Sequence, residues 1–224
     1  MRLLAAALCL ASLAVRAAAA DDAPFSELSG VVATLGEGLP SAEDRAKMLQ
    51  AAREYRVAAL KSARLKLDTL AELVEKGEPA SSYDADTVKF VASWLSVKPG
   101  DAGYFRTLKA ASEAITKTLG HAVVHSVYPE SRQTCAAEDS KAGIQGTYAW
   151  THDDQTALCR PWLFSSAYCR RVVVIHEAFH SSGLVDIDTK LKFPKRTVEQ
   201  ALSDAAYMAG LVSQLHSKHE DGCP

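Results

Sequence analysis

The segment Val172-Val-Val-Ile-His176-Glu177-Ala178-Phe179-His180-Ser-Ser-Gly183-Leu-Val-Asp186 constrains the chain more than any other stretch. Val172, Ile175 and Phe179 recur at helical spacing, so they form an apolar stripe that belongs in a core. His176 and His180 stand four residues apart and share one helix face, with Glu177 beside them. Burying such groups without partners costs on the order of several kcal/mol per charge. A Val/Ile/Phe helix that carries them therefore calls for something to answer their charge. Two imidazoles on one ion, with a carboxylate next to the metal-bound water, is the arrangement of a zinc hydrolase. Ser165 or Ser166 is placed to cap the start of this helix and Gly183 to end it, because glycine readily adopts the left-handed conformation that reverses the chain. Asp186 follows at a distance suited to a third ligand, with Asp188 as the alternative. His176, His180 and Asp186 around one Zn2+, with a fourth position open to water, match a catalytic rather than a closed structural site.

The remaining composition narrows the setting. The 224 residues are 48% hydrophobic and 23% charged, which suits one globular domain with a substantial core. Lys+Arg total 25 against 27 acidic residues, with no long run of one sign, so a nucleic-acid partner is disfavoured. The chain opens with Met1-Arg2, an apolar run from Leu3 to Val15, and Arg16-Ala-Ala-Ala-Ala20, the pattern of a secretory signal peptide over residues 1–20. Cleavage after Ala20 removes Arg2 and Arg16, leaving 23 basic residues against 27 acidic and a net charge of -4. Beyond that segment no apolar stretch approaches the roughly 20 residues needed to cross a bilayer. Cys9 leaves with the signal, and the even set Cys135, Cys159, Cys169 and Cys223 in an exported chain predicts two disulfides of undetermined pairing.

Residues 21–224 are expected to form a single mainly helical α+β domain, helical over 41–120 and mixed over 121–224. From Ser41 and Asp44, apolar residues Met48, Ala52, Tyr55, Ala59, Ala63, Leu67, Leu70 and Val74 recur at helical steps until Gly77 and Pro79. A second helix is expected from Asp84 to the Lys98-Pro99-Gly100 turn, and a third through Phe105, Leu108, Ala111, Ile115 and Leu119 to Gly120. His121 to Tyr128 alternates as a strand does. Gly146 to His152 and Thr156 to Leu163 are read as a hairpin around Asp153-Asp154-Gln155, with Tyr148 to His152 as an edge strand. Helical spacing returns over 165–181 and 197–216. His121, His125, His216 and His219 are read as ordinary core or surface histidines, Trp150 and Trp162 as packing residues, and Arg170-Arg171 as a solvated face.

With these residues in view, the chain resembles the aspzincin metallopeptidases, the group of deuterolysin and the lysine-specific metallo-endopeptidases. Their motifs are HExxH and a later GTxD, matched here by His176 to His180 and by Gly183-Leu-Val-Asp186. The resemblance extends upstream to Tyr148-Ala-Trp150 and Ala157-Leu-Cys-Arg-Pro-Trp-Leu163. Downstream, Ala201-Leu-Ser-Asp204-Ala-Ala-Tyr207 is similar to the family's Asn-Ala-Asp segment. It implies a zincin-like fold with a small sheet or hairpin beside the active-site helix, and it implies Asp186 as the third ligand. Two departures stand out. Only two residues separate His180 from Gly183, as in HExxHxxGxxD peptidases such as snapalysin. Leu184 replaces the family's threonine, and Thr189 and Lys190 occupy the region of its tyrosine-glycine, leaving Tyr148 and Tyr207 as candidates to stabilise an oxyanion.

The expected function is a secreted or periplasmic zinc endopeptidase that hydrolyses a peptide or protein substrate, with Glu177 as general base. The alternatives are a non-catalytic metal-binding or protein-binding member of the same fold, and a zinc amidase acting on cell-wall peptide.

Overall fold

The computed structural model describes residues 38–79, 82–143, 146–187 and 197–217. The expected signal segment, Asp188, Thr189, Lys190, His219 and Cys223 lie outside them. Helix α1 (Ala42–Glu75) begins where Ser41 accepts a hydrogen bond from the Asp44 amide at 3.1 Å, with Glu43 and Asp44 favourably placed against the positive end of the helix dipole. Its inner face is Ala52, Ala59, Leu60, Ala63, Leu67, Leu70 and Ala71, whereas Met48, Tyr55 and Val74 are only partly buried. Gly77, at φ +70°, turns the chain away.

Helices α2 (Ala85–Trp94) and α3 (Tyr104–Gly120) follow at the expected places, and α3 packs along α1. Strand β1 (Val124–Val127) is shorter than the predicted stretch, with Val124 and Ser126 outward. Helix α4 (Arg132–Ala142) has no counterpart in the sequence reading, because Cys135 is its one fully buried residue and its apolar pattern is faint. Strands β2 (Ala149–His152) and β3 (Gln155–Leu158) form the predicted hairpin, Trp150 opposite Ala157. The sheet order is β1-β3-β2, with β1 parallel to β3, so β2 is an edge strand. The second hairpin strand was expected to reach Leu163 but stops at Leu158. Pro161 cannot donate to a sheet and suits a first helical turn, and α5 (Arg160–Phe164) starts there from Cys159. Cys159 is bonded to Cys135, which ties α4 to the end of β3. Cys169 is disulfide-bonded as well.

Helix α6 (Ala167–Ser181) is capped by Ser166, whose hydroxyl accepts from the Cys169 amide at 3.1 Å. The predicted single helix over 197–216 is two, α7 (Val198–Ser203) and α8 (Ala205–His216), broken at Asp204. The break has a tertiary cause. Asp204 pairs with Val185 as an isolated parallel bridge and takes extended ψ of 118°.

The main core lies between α1, α2, α3, α6 and α8, built on Leu60, Leu67, Leu108, Ile115, Phe179 and Met208. A second cluster joins the start of α1 to the hairpin through Ala52, Leu158, Trp162, Val173 and Val174. Between the two, α6 is buried on nearly every side, as a helix apolar around most of its circumference must be. Trp150 and Trp162 pack as expected, their Nε1 atoms bonded to Asp139 and to the Arg170 carbonyl. The fold is mainly helical α+β, with β2 set against α6. No helix among the described residues is long and apolar enough to cross a membrane.

Candidate metal centre

The histidines sit in the last two turns of α6. His176 is 1% and Glu177 4% exposed, on a helix otherwise committed to the core. The chain then turns sharply: the Gly183 amide donates to the His180 carbonyl at 2.9 Å and the Leu184 amide to the Phe179 carbonyl at 3.0 Å. Gly183 takes φ +97°, which a residue with a side chain adopts only under strain. The turn is fastened to α3 by a buried bond of 2.9 Å between the hydroxyls of Ser182 and Thr118. Val185 then runs beside the Asp204 break, its amide donating to the Ser203 carbonyl at 3.1 Å and its carbonyl accepting from the Ala205 amide at 3.0 Å. Asp186 is thereby returned to the histidines.

The three predicted ligands come together. His180 Nε2 lies 2.9 Å from His176 Nε2, Asp186 Oδ1 is 3.6 Å from His176 Nε2, and Asp186 Oδ2 is 3.3 Å from His180 Nε2. Zinc–ligand bonds of about 2.0–2.2 Å at tetrahedral angles set donor atoms roughly 3.3 Å apart, so the observed edges are those of a cage around one ion. Protons agree. His180 Nδ1 is 3.0 Å from the Leu184 carbonyl, which can only accept, so Nδ1 carries a hydrogen and Nε2 is the nitrogen turned toward His176 and Asp186. Neither oxygen of Asp186, nor Glu177 Oε2, has a hydrogen-bond partner, although all three are buried.

The charges point the same way. Burial pulls the His180 pKa down, but its contact with Asp186 and the charges of Glu177 and Asp186 overcome this and raise it to about 9. Burial and the neighbouring His180 keep His176 below its ordinary value, against the pull of Asp186, Glu177 and Asp204. A pocket holding two carboxylates and at most one protonated ring attracts a cation. Among the described residues this trio is the one group of His, Cys, Asp and Glu side chains arranged to hold a metal.

Compared with protein-family models, curated proteins and solved structures, the chain matches none. The chemistry of the centre therefore stands on its own geometry.

Glu177 falls where the sequence places it, its Oε1 3.9 Å from His176 Nε2. Asp188 lies outside the described residues. Tyr207 packs its ring on Trp94 at 5.0 Å, and Tyr148 belongs to the second core cluster. Arg170 and Arg171 are not a solvated face. Arg170 donates to the carbonyls of Leu163 and Ser165, and the Arg171 guanidinium lies 4.8 Å from the centre of the Tyr55 ring. The other described histidines are engaged elsewhere: His121 beside Asp154, His125 beside Arg53, His152 beside Asp153 and His216 edge-on to Tyr55. What the sequence reading missed is the support of the centre, namely the Leu184 carbonyl, the Thr118–Ser182 bond and the Val185–Asp204 pairing. Leu184 and Val185 act through backbone groups that carry no residue signal, and the polarity of Thr118, Ser182 and Asp204 names no partner.

Proposed function

We propose that the chain is an exported zinc-dependent endopeptidase of aspzincin type. The observation that carries the proposal is the cage of His176, His180 and Asp186, with donor atoms within 4.8 Å of one another and Glu177 beside it, its Oε1 3.9 Å from His176 Nε2. A divalent cation held there would supply Lewis acidity, polarising a carbonyl oxygen and acidifying a water. Glu177 takes the proton that the attacking water loses and returns it to the leaving amine. Among the described residues β2 is an edge strand, the kind of element an extended peptide can pair with. The Cys135–Cys159 bond supports an oxidising compartment.

One observation favours a non-catalytic metal-binding protein as the second reading. The side chains of His176, Glu177, Asp186 and His180 are only 2%, 5%, 6% and 14% exposed, which is little access for a polypeptide. Cleavage of an unstructured protein and of cell-wall peptide by wild type and Glu177→Gln, with zinc measured in both, separates the two. The endopeptidase reading expects a loss of roughly 100-fold or more with zinc retained, and preference for the unstructured protein. Equal activity in the two proteins rejects Glu177 as the base. Zinc bound without hydrolysis of either substrate supports the second reading.

A further inference from the structure

We infer that Asp204 is a positioning residue of the metal centre, acting on Asp186 through the backbone. The inference rests on the proposed centre but not on its catalysing any reaction. Asp186 faces the two histidines at 3.6 and 3.3 Å, but among the described residues no hydrogen bond from outside the ligand set holds its oxygens. Its placement depends on the preceding residue, Val185, held on both sides of its peptide by Ser203 and Ala205, the neighbours of Asp204. That pairing requires the chain at 204 to be extended, in the middle of a stretch that is otherwise helical from Val198 to His216.

The Asp204 side chain makes the interruption stable. Its Oδ1 accepts from the Tyr207 amide at 3.1 Å, capping α8, so the residue that ends one helix starts the next. Asp204 is 1% exposed, so its cap sits where water does not readily replace it. Residues that hold a metal ligand in place are typically worth 10–100-fold in metal affinity. Asp204 thus couples the α7–α8 junction to Asp186.

Two variants of the full chain test it. Asn caps helices as well as Asp does, so Asp204→Asn keeps the cap and the break, whereas Asp204→Ala removes the cap. Affinity for Zn2+ and the visible spectrum of bound Co2+ are measured beside the urea midpoint of the metal-free proteins. The expected result is a wild-type midpoint, affinity and spectrum for Asp204→Asn, and for Asp204→Ala a lower midpoint, affinity reduced roughly tenfold and an altered Co2+ spectrum. Wild-type affinity and spectrum in Asp204→Ala, or the same loss in both variants, would overturn the inference while leaving the centre intact. A wild-type protein that binds neither ion would remove the centre itself, and the inference with it.

Discussion

Thr118 and Ser182 join the end of α3 to the turn after His180 through hydroxyls 2.9 Å apart, both buried. Each also reaches a carbonyl of its own helix, Ala114 for Thr118 and Phe179 for Ser182. Removing one hydroxyl takes away the bond between them but leaves the other its own carbonyl, at a cost of about 0.5–1.5 kcal/mol. Because both deletions remove the same shared bond, the double variant is milder than the sum. Thr118→Val and Ser182→Ala are each expected to lower the urea midpoint, and the double variant to fall by less than the two added. Strict additivity would show that the bond does not hold the turn.

The stability of the protein should depend on metal. An ion that binds only the folded chain stabilises it by about 4 kcal/mol at a thousandfold excess over its dissociation constant. Thermal unfolding with zinc and with a chelator is expected to give well-separated midpoints for wild type. With Asp186→Ala the separation should nearly vanish. A chelator without effect on wild type argues against a tightly held ion.

Gly210 is where α8 meets Trp94. A Cβ at position 210 would stand 2.6 Å from Cζ2 of the indole, which is itself fixed by Nε1 donating to the Tyr207 carbonyl at 3.0 Å. Helix propensity alone makes Gly210→Ala stabilising by up to about 1 kcal/mol, but overpacking costs roughly 1–3 kcal/mol, so the net effect is destabilising. Chemical denaturation gives the answer, and a raised midpoint would mean that Trp94 yields.

Acid should weaken the fold through His125. Burial, then the charges of Arg53 and Arg56, push its pKa from the ordinary 6.5 to about 4 against the pull of the Val123 carbonyl; Thr156 stands opposite it in β3. Between those two values the unfolded chain binds the proton and the folded chain does not, so this contribution is present above pH 6.5 and is lost as pH falls toward 4. His125→Gln is expected to lose less stability than wild type between pH 7 and pH 5, read from urea midpoints at each pH. Equal losses would place the acid sensitivity elsewhere.

What was legible in the sequence had causes close together in the chain. The α6 stripe, its serine cap, the Gly183 stop and the spacing of His176, His180 and Asp186 are all written within residues 166–186. Elements with distant causes were not legible. Nothing in Ala201-Leu-Ser-Asp204-Ala-Ala-Tyr207 breaks a helical pattern until Val185 arrives to pair with it. Arg171 reads as solvated because Tyr55, which covers its guanidinium, belongs to the first helix. Helix α4 escaped notice because its buried residue is a cysteine whose partner stands across the sheet boundary.

The cage draws all three of its donors from the single stretch between 176 and 186. The chain entropy lost in closing so short a loop is small and grows only slowly with length. The two imidazoles are therefore neighbours as soon as α6 exists, and only the final seating of Asp186 waits for Val185 to meet the α7–α8 junction.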